Sequence, residues 1–516
     1  MTTPTTIVCF RFSFIVTLCL NYLSQESRYL AIVKSIVSSI QESLDITRIF
    51  GQASSDTIYS APIFRLPVEI LVEIFGCLNE DANYWRPRGP PIINTVQRRT
   101  LAPNASLDPA ILAQVCMLWR AIALSTPTLW SSIAIHCTRR QPTISLLQAW
   151  LERSGTKPLR IVFVESIHGI EPPMEYGADP DPVSNPFSSE AITLLMAHSH
   201  RWKAVDFNFS RCIPGALLNL QSGSLPMLET AALSSRAAMH LPYFKLAPVV
   251  SVWNVLHSSL SFTRGCWEID YLESNPHEIP WSRLTSVELT MMIPSFLEVL
   301  PKLENLVDLH FIDPYTCFSS FPDSVNRERP SILEPVTLPC LRKLHLVTAN
   351  TADPLFNKFT LPSLVFVHVT QKRVWLHQPV PSVFTNLLTR SGCNLKEYIY
   401  DISGDPVAED ILLEILSSST MASLQLLTVE STVTEKFTRL LTRRDDNTMI
   451  LPQLERLSLQ WCKDPRGGLL AMAQSRSSKA GDLAVLRRLQ VRRWDKVPLE
   501  EEGFNYLAKA GMSLKL

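Results

Sequence analysis

The sequence predicts an α/β chain in which a short all-α module precedes an irregular solenoid of strand–helix repeats. Three observations carry this reading. Helical apolar periodicity dominates residues 65–130, a phrase Leu-x-x-Leu-x-Leu recurs through the rest of the chain, and helical patterns fill the spaces between its copies. With 516 residues the chain is too long for one compact domain and can bury a large core. Four segments follow: an apolar N-terminal stretch (1–24), a helix and linker (25–62), the helical module (63–136, with an inserted loop at 79–107) and the repeat array (137–516).

Composition narrows the function classes before any motif is read. Lys plus Arg and Asp plus Glu each total 48, so the formal net charge is zero. There is no basic excess to suggest nucleic acid and no acidic tail, so no nucleic-acid partner is expected. Hydrophobic residues make up 46%, as in a globular rather than a disordered chain. The 11 cysteines are scattered from Cys9 to Cys462 without a Cys-x-x-Cys pair. An odd, unpatterned set fits neither a zinc framework nor a disulfide scaffold, and it predicts reduced thiols in the cytoplasm or nucleus.

The N-terminal stretch from Ile7 to Leu23 is largely apolar, and Phe12 to Leu20 could pass for a signal-peptide core. The only positive charge before that core is Arg11, and no small-x-small cleavage site follows convincingly. The run is also short for a membrane span. A buried segment, or a start codon placed too far upstream, is the favoured reading. Leu30, Ile32, Val33, Ile36, Val37 and Ile40 then make the stripe of a packed helix, and residues 51–61 form a polar linker.

The module opens with Leu66-Pro67-Val68-Glu69-Ile70-Leu71. Pro67 suits the first position of a helix, and Glu69 lies in the first turn, where its charge complements the dipole. Ile70, Leu71, Ile74, Phe75 and Leu78 paint one wide apolar stripe, with Glu69 and Glu73 on the other side. The loop from Asn79 to Ser106 is rich in Pro and Arg and reads as exposed. Asp108 and Pro109 then start a second helix carrying Ile111, Leu112, Val115, Leu118, Trp119 and Ile122. Ser125-Thr126-Pro127 ends it, and Thr126 is placed to cap a short third helix with Leu129 and Trp130.

The ordered set Leu-Pro-x-Glu-Ile-Leu, then Trp119-Arg120-Ala121-Ile122-Ala123, then Leu129-Trp130-Ser131-Ser132 resembles the F-box of fungal proteins. That module docks a protein onto the Skp-type adaptor of a cullin ubiquitin ligase. The inserted loop is longer than the compact family pattern needs. The resemblance implies that Leu66, Pro67, Ile70, Leu71, Ile74, Phe75, Leu112, Val115, Cys116, Trp119 and Trp130 include the adaptor contacts, some facing the module's own core instead. It implies a substrate-recognition subunit of an SCF-type ligase, partnered by the adaptor, through it by a cullin, and by a target protein. No cofactor and no catalysis of its own are implied. Two alternatives stay open: an F-box protein in a non-ligase adaptor complex, and a secreted or membrane-tethered binding solenoid.

Beyond His136 the phrase appears as Leu284-Val287-Leu289, Leu306-Leu309-Phe311, Leu341-Leu344-Leu346, Leu364-Val367-Val369, Leu395-Tyr398-Tyr400, Leu424-Leu427-Val429, Leu454-Leu457-Leu459 and Leu486-Leu489-Val491. Leu228-Ala231-Leu233 is a poorer, earlier copy. The steps between first leucines, from 284 to 306 to 341 and onward, are 22, 35, 23, 31, 29, 30 and 32 residues. That irregular period lies in the range of a repeat array. Helical spacing in Phe296–Leu300, Phe384–Leu388, Ile411–Leu416 and Phe437–Leu441 supplies the intervening helices. The array resembles a degenerate leucine-rich-repeat solenoid, in which alternate strand positions face inward and stacked neighbours bury them. Only Cys462 fits the Asn or Cys that ends the family phrase. Ile144 to Trp150, a turn at Ser154–Pro158 and Leu159 to Phe163 read as the first unit; Trp202 to Phe209 reads as the next strand.

No chemistry-bearing constellation emerges. Ser154-Gly155-Thr156-Lys157 lacks the upstream glycine of a phosphate loop, and no Gly-x-Ser-x-Gly occurs. His198 and His200 have no third ligand nearby in sequence, so no metal is expected. Asp445-Asp446 and the acidic stretch Glu171, Glu175, Asp179, Asp181 read as solvated loops. Target contacts are expected on strand faces and on the loops 166–189 and 313–335.

Overall fold

A computed structural model describes residues 66–80, 109–114, 116–137, 144–165, 186–209, 213–235, 247–267, 279–313, 334–348, 352–371, 380–402, 408–443, 450–463, 467–478, 484–494 and 500–515. The expectations for residues 1–62, Val115, Asp445-Asp446, the acidic stretch at 171–181 and nearly all of the loops at 79–107, 166–189 and 313–335 lie outside these residues. The chain is α/β with a large parallel sheet, and it divides into two compact units, the first ending at Ala204 and the second starting at Val205.

The first unit begins with helix α1 (Val68–Glu80), whose first turn closes on the Pro67 carbonyl. The single helix expected from Asp108 to about Ile122 is instead two: α2 (Pro109–Leu112) and α3 (Met117–Ser125). The break has a local cause. Cys116 is extended (φ −157°, ψ 172°) and its Sγ accepts from the Trp119 N–H, so the chain restarts a helix there with a thiol cap. Arg120 Nε bridges the break by donating to the Ala113 carbonyl at 2.8 Å. Thr126 does not cap the short 3₁₀ turn that follows (Pro127–Trp130); its hydroxyl donates back to the Ile122 carbonyl at 2.7 Å.

Strand β1 (Ser132–Cys137), helix α4 (Ile144–Arg153), strand β2 (Leu159–Glu165) and helix α5 (Pro186–Met196) come next. β1 and β2 pair in parallel from Ser132↔Arg160 to Cys137↔Glu165. Buried Arg201 shapes the turn after α4 by donating to the Ser154 hydroxyl and to the Gly155 and Lys157 carbonyls. A fork of fixed donors satisfies several orphan acceptors at once, which a flexible ammonium would do less well. Strand β3 (Trp202–Phe209) carries the chain into the second unit.

The second unit repeats one construction. Its strands are β4 (Thr230–Ser235), β5 (Arg264–Trp267), β6 (Ser286–Thr290), β7 (Asp308–Ile312), β9 (Lys343–Thr348), β11 (Phe366–Gln371), β12 (Glu397–Ile402), β13 (Leu426–Thr434), β14 (Arg456–Lys463), β15 (Arg488–Trp494) and β16 (Ser513–Lys515). Each pairs in parallel with its neighbours in chain order. Two-residue strands β8 (Val336–Thr337) and β10 (Phe359–Thr360) form a separate small sheet. Helices occupy the crossovers, among them α6 (Ala247–His257), α7 (Ile293–Val299), α8 (Asp353–Phe356), α9 (Pro381–Ser391), α10 (Ala408–Ser417), α11 (Glu435–Leu441), α12 (Gly468–Ser475) and α13 (Glu500–Lys509). This topology is that of a solenoid-like α/β fold.

The phrase dictates the geometry. Its first leucine ends a tight turn, as Leu341 N–H donates to Leu338 O, Leu364 to Leu361 and Leu454 to Leu451. The proline after the turn's opening leucine (Pro339, Pro362, Pro452) holds φ where such a turn needs it. The residue after the first leucine then donates to its counterpart one repeat earlier. These bonds run Val307 to Thr285, Arg342 to Val307, Val365 to Arg342, Lys396 to Val365, Gln425 to Lys396, Glu455 to Gln425 and Arg487 to Glu455, all within 2.8–3.0 Å. First leucines from Leu228 to Leu486 are at most 1% exposed, so they stack as one continuous core.

Three repeats escaped the leucine pattern because an aromatic residue takes the first position. Trp130-Ile133-Ile135, Trp202-Val205-Phe207 and Phe262-Gly265-Trp267 each follow the same spacing, and their hydrophobic members are all buried. The last fills the long gap between Leu228 and Leu284. At Gly265 a Cβ would run into the Trp267 indole, so glycine makes room there for the ring that replaces a leucine.

Candidate docking surface

The helices of the first unit enclose a small core of Leu71, Phe75, Leu112, Trp119, Ile122, Ala123, Leu129 and Trp130. Phe75 meets Trp119 edge-on at 4.8 Å, and Trp130 meets Trp150 at 5.3 Å. Trp130 Nε1 donates to the Ala123 carbonyl at 2.7 Å, tying the 3₁₀ turn to α3. Burial at this level contributes about 1.5–3 kcal/mol per large apolar side chain.

This packing divides the eleven residues singled out in the sequence. Leu71, Phe75, Leu112, Trp119 and Trp130 are 0–3% exposed and face the module's own core. Leu66, Ile74 and Cys116 are half-buried and border that core. Pro67 and Ile70 are exposed, and Ile70 shows 43% of its surface. Val115 lies outside the described residues.

The structure adds three residues that the sequence analysis passed over or misplaced. Met117 is 86% exposed, Leu124 43% and Leu118 39%. With exposed Ala121 they occupy one side of α3, since 117, 121 and 124 recur at i, i+4 and i+7. The opposite side carries buried Trp119, Ile122 and Ala123. Helix α3 therefore carries apolar residues on both sides, and those on the outer side, beside Arg120 and Ser125, are exposed. A surface helix ordinarily shows mainly polar residues to solvent, so the signal was available in the sequence as a side on which only Arg120 and Ser125 are polar.

Among the described residues no group of three or more His, Cys, Asp or Glu is placed to hold a metal ion. The His198 and His200 rings stand 6.5 Å apart; burial, then the nearby Arg201 charge, holds His198 below the usual histidine range. No helix of the described residues is long and apolar enough to cross a membrane. On the second unit the strand positions between the inward leucines form a second sheet face. There His310, His345 and His368 lie in register across β7, β9 and β11, with Glu288 Oε2 3.2 Å from His310 Nδ1.

No protein-family model matches the chain, and no curated protein matches it. Among solved structures it is similar to a structural-genomics target from Bacteroides fragilis, at 11% identity and a TM-score of 0.31. That match covers 58% of this chain and 67% of the other.

Proposed function

We propose that this chain is a substrate-recognition subunit of an SCF-type ubiquitin ligase. In this reading residues 63–136 act as an F-box that docks a Skp-type adaptor. The degenerate leucine-rich-repeat-like solenoid beyond it holds a target protein. The observation that carries the reading is the exposed apolar side of α3, with Met117, Leu118 and Leu124 turned outward in the chain order that resembles the F-box. Such a face is stabilised by covering it, and large apolar side chains supply most of the energy of a small interface. Pro67 and Ile70 extend the contact along α1. Ubiquitin transfer belongs to other subunits, and this chain acts by raising the local concentration of target lysines near the charged enzyme.

Co-expression with a Skp-type adaptor tests this. Wild-type chain should co-purify with the adaptor, and Met117→Glu/Leu118→Glu should abolish co-purification while circular dichroism stays unchanged. Because both side chains face outward, loss of binding is separable from loss of fold. Absence of a complex with the wild-type chain overturns the reading. A complex that never recruits a cullin retains the docking role and removes the ligase.

A further inference from the structure

We propose that the second face of the last three strands binds a short acidic segment of a partner protein. Along β14, β15 and β16 the inward positions are taken by Leu457, Leu459, Leu489 and Val491, all buried. The positions between them face the other way. On β14 these are Arg456, Ser458 and Gln460; on β15, Arg488, Gln490 and Arg492; on β16, Ser513 and Lys515. Four are cations and none is an anion, in a chain whose formal net charge is zero. Arg456, Arg488, Arg492 and Lys515 are all exposed.

Register places two of the cations side by side: Arg456 pairs with Arg488, while Lys515 lies opposite the neutral Gln490. Like charges directly opposite each other destabilise a sheet unless something neutralises them. The neutralisation present is incomplete. Arg456 reaches across Leu426 to Glu397 at 3.5 Å, and Arg492 donates to the Gln460 side-chain oxygen at 3.1 Å and lies close enough to Glu430 for their charges to attract. Arg488 makes no ion pair among the described residues. The carboxylate at the strand entry, Glu455, is met by Arg487 at 4.0 Å.

The size and borders of the patch select the ligand. Three strands span about 10 Å and the four steps from Arg488 to Arg492 span about 13 Å. Glu397, Asp401 and Glu430 on β12 and β13 bound it on one side. A continuous polyanion such as a nucleic acid would run onto those carboxylates, whereas a few consecutive acidic residues would not. Ser458 and Gln490 between the cations add neutral hydrogen-bonding groups suited to peptide. Guanidinium groups bind carboxylates through paired, charge-assisted bonds, so Arg rather than Lys at three of the four positions favours such a segment. The proposal is independent of the adaptor reading, which concerns a different unit.

The test is fluorescence anisotropy with the full chain and a labelled oligoglutamate peptide, with oligoglutamine as the reference. The wild-type chain should bind oligoglutamate at least tenfold more tightly than oligoglutamine. Binding should weaken at least tenfold between about 50 mM and about 500 mM salt, as expected for exposed charges. Arg488→Glu/Arg492→Glu should weaken binding at least about tenfold, and Arg439→Glu, an exposed change on α11, should leave it unchanged. If the double reversal perturbs the circular dichroism, Arg488→Gln/Arg492→Gln decides in its place. Equal binding of the two peptides, an unaffected double variant, or tighter binding of a single-stranded oligonucleotide of equal charge overturns the proposal.

Discussion

Lowering the pH should unfold the second unit through three histidines that the fold keeps neutral. His257 sits among Trp253, Phe262 and Trp267, and its Nε2 accepts from Trp267 Nε1 at 3.2 Å. Burial, then the charge of Arg283, brings its pKa down to about 3. His345 is also brought down to about 3, by burial first and then by His310, His368 and Lys343. His368 is brought down to about 4 by burial and then by His310. In the unfolded chain each takes up a proton near pH 6.5, so folding loses ground as pH falls from there toward 3 or 4. At about pH 5 the difference is about 2 kcal/mol for each fully buried histidine. His345 keeps 21% of its side chain exposed, so solvent screening trims the total for the three to about 4–6 kcal/mol. That is a large part of the 5–15 kcal/mol typical of a folded domain. Asp308 and Glu430, whose carboxyls burial pushes up, act in the opposite sense near the acid end of the range. Urea unfolding followed by circular dichroism should show the midpoint dropping steeply between about pH 7 and about pH 5. His345→Gln/His368→Gln should remove about two thirds of that slope. A midpoint that is flat over this interval would refute the claim that the fold excludes the charged imidazoles.

Other perturbations separate packing from docking. Trp119→Ala removes the ring that meets Phe75 and should destabilise the first unit by about 3–5 kcal/mol, read as a lower thermal midpoint. Gly265→Ala drives a methyl into the Trp267 indole and should cost about 1–3 kcal/mol by urea titration, while Gly215→Ala, with open space around it and no left-handed backbone, meets no such clash. Arg476 is 1% exposed and donates to the Leu441, Ile450 and Leu451 carbonyls. Arg476→Met leaves those acceptors bare and should cost about 3 kcal/mol or more, with hydrogen exchange rising first around α12.

The strands of the second unit were legible because a buried position must repeat wherever stacking repeats. Leu306, Leu341 and Leu364 announce their turns, their strands and the face they bury, and β3 falls on the residues its alternation indicates. What escaped did so for physical reasons. Trp130 and Phe262 fill the volume of a leucine and its surroundings, so a pattern keyed to leucine passes over them. Strand β5 was hidden further by Gly265, a residue poor in strands that the Trp267 ring requires at that point. The break between α2 and α3 was hidden because a thiol served as the cap, where Ser, Thr, Asp or Asn is the usual signal.

The candidate surfaces were harder to read than the fold, and the alternation of the strand explains why. Inward positions are constrained by packing, so they advertise themselves; the positions between them are free to vary and follow no period. Arg456 and Arg488 are 32 positions apart in the chain, as are Gln460 and Arg492, yet register sets each pair on neighbouring strands. Arg487, Arg488, Arg492 and Arg493 do fall within seven residues of the sequence, but which of them share a face with Arg456 is set by strand alternation and stacking. The same holds for the histidine row across β7, β9 and β11, with members 35 and 23 residues apart. On α3 the difficulty was reversed. Local spacing was sufficient to mark Met117 and Leu124, but an apolar residue on a helix reads as core until the opposite face is known to be filled. Trp119, Ile122 and Ala123 fill it. In this chain, then, packing leaves the inner face of each element visible in the sequence, while the surfaces available for recognition are set by which elements the fold brings side by side.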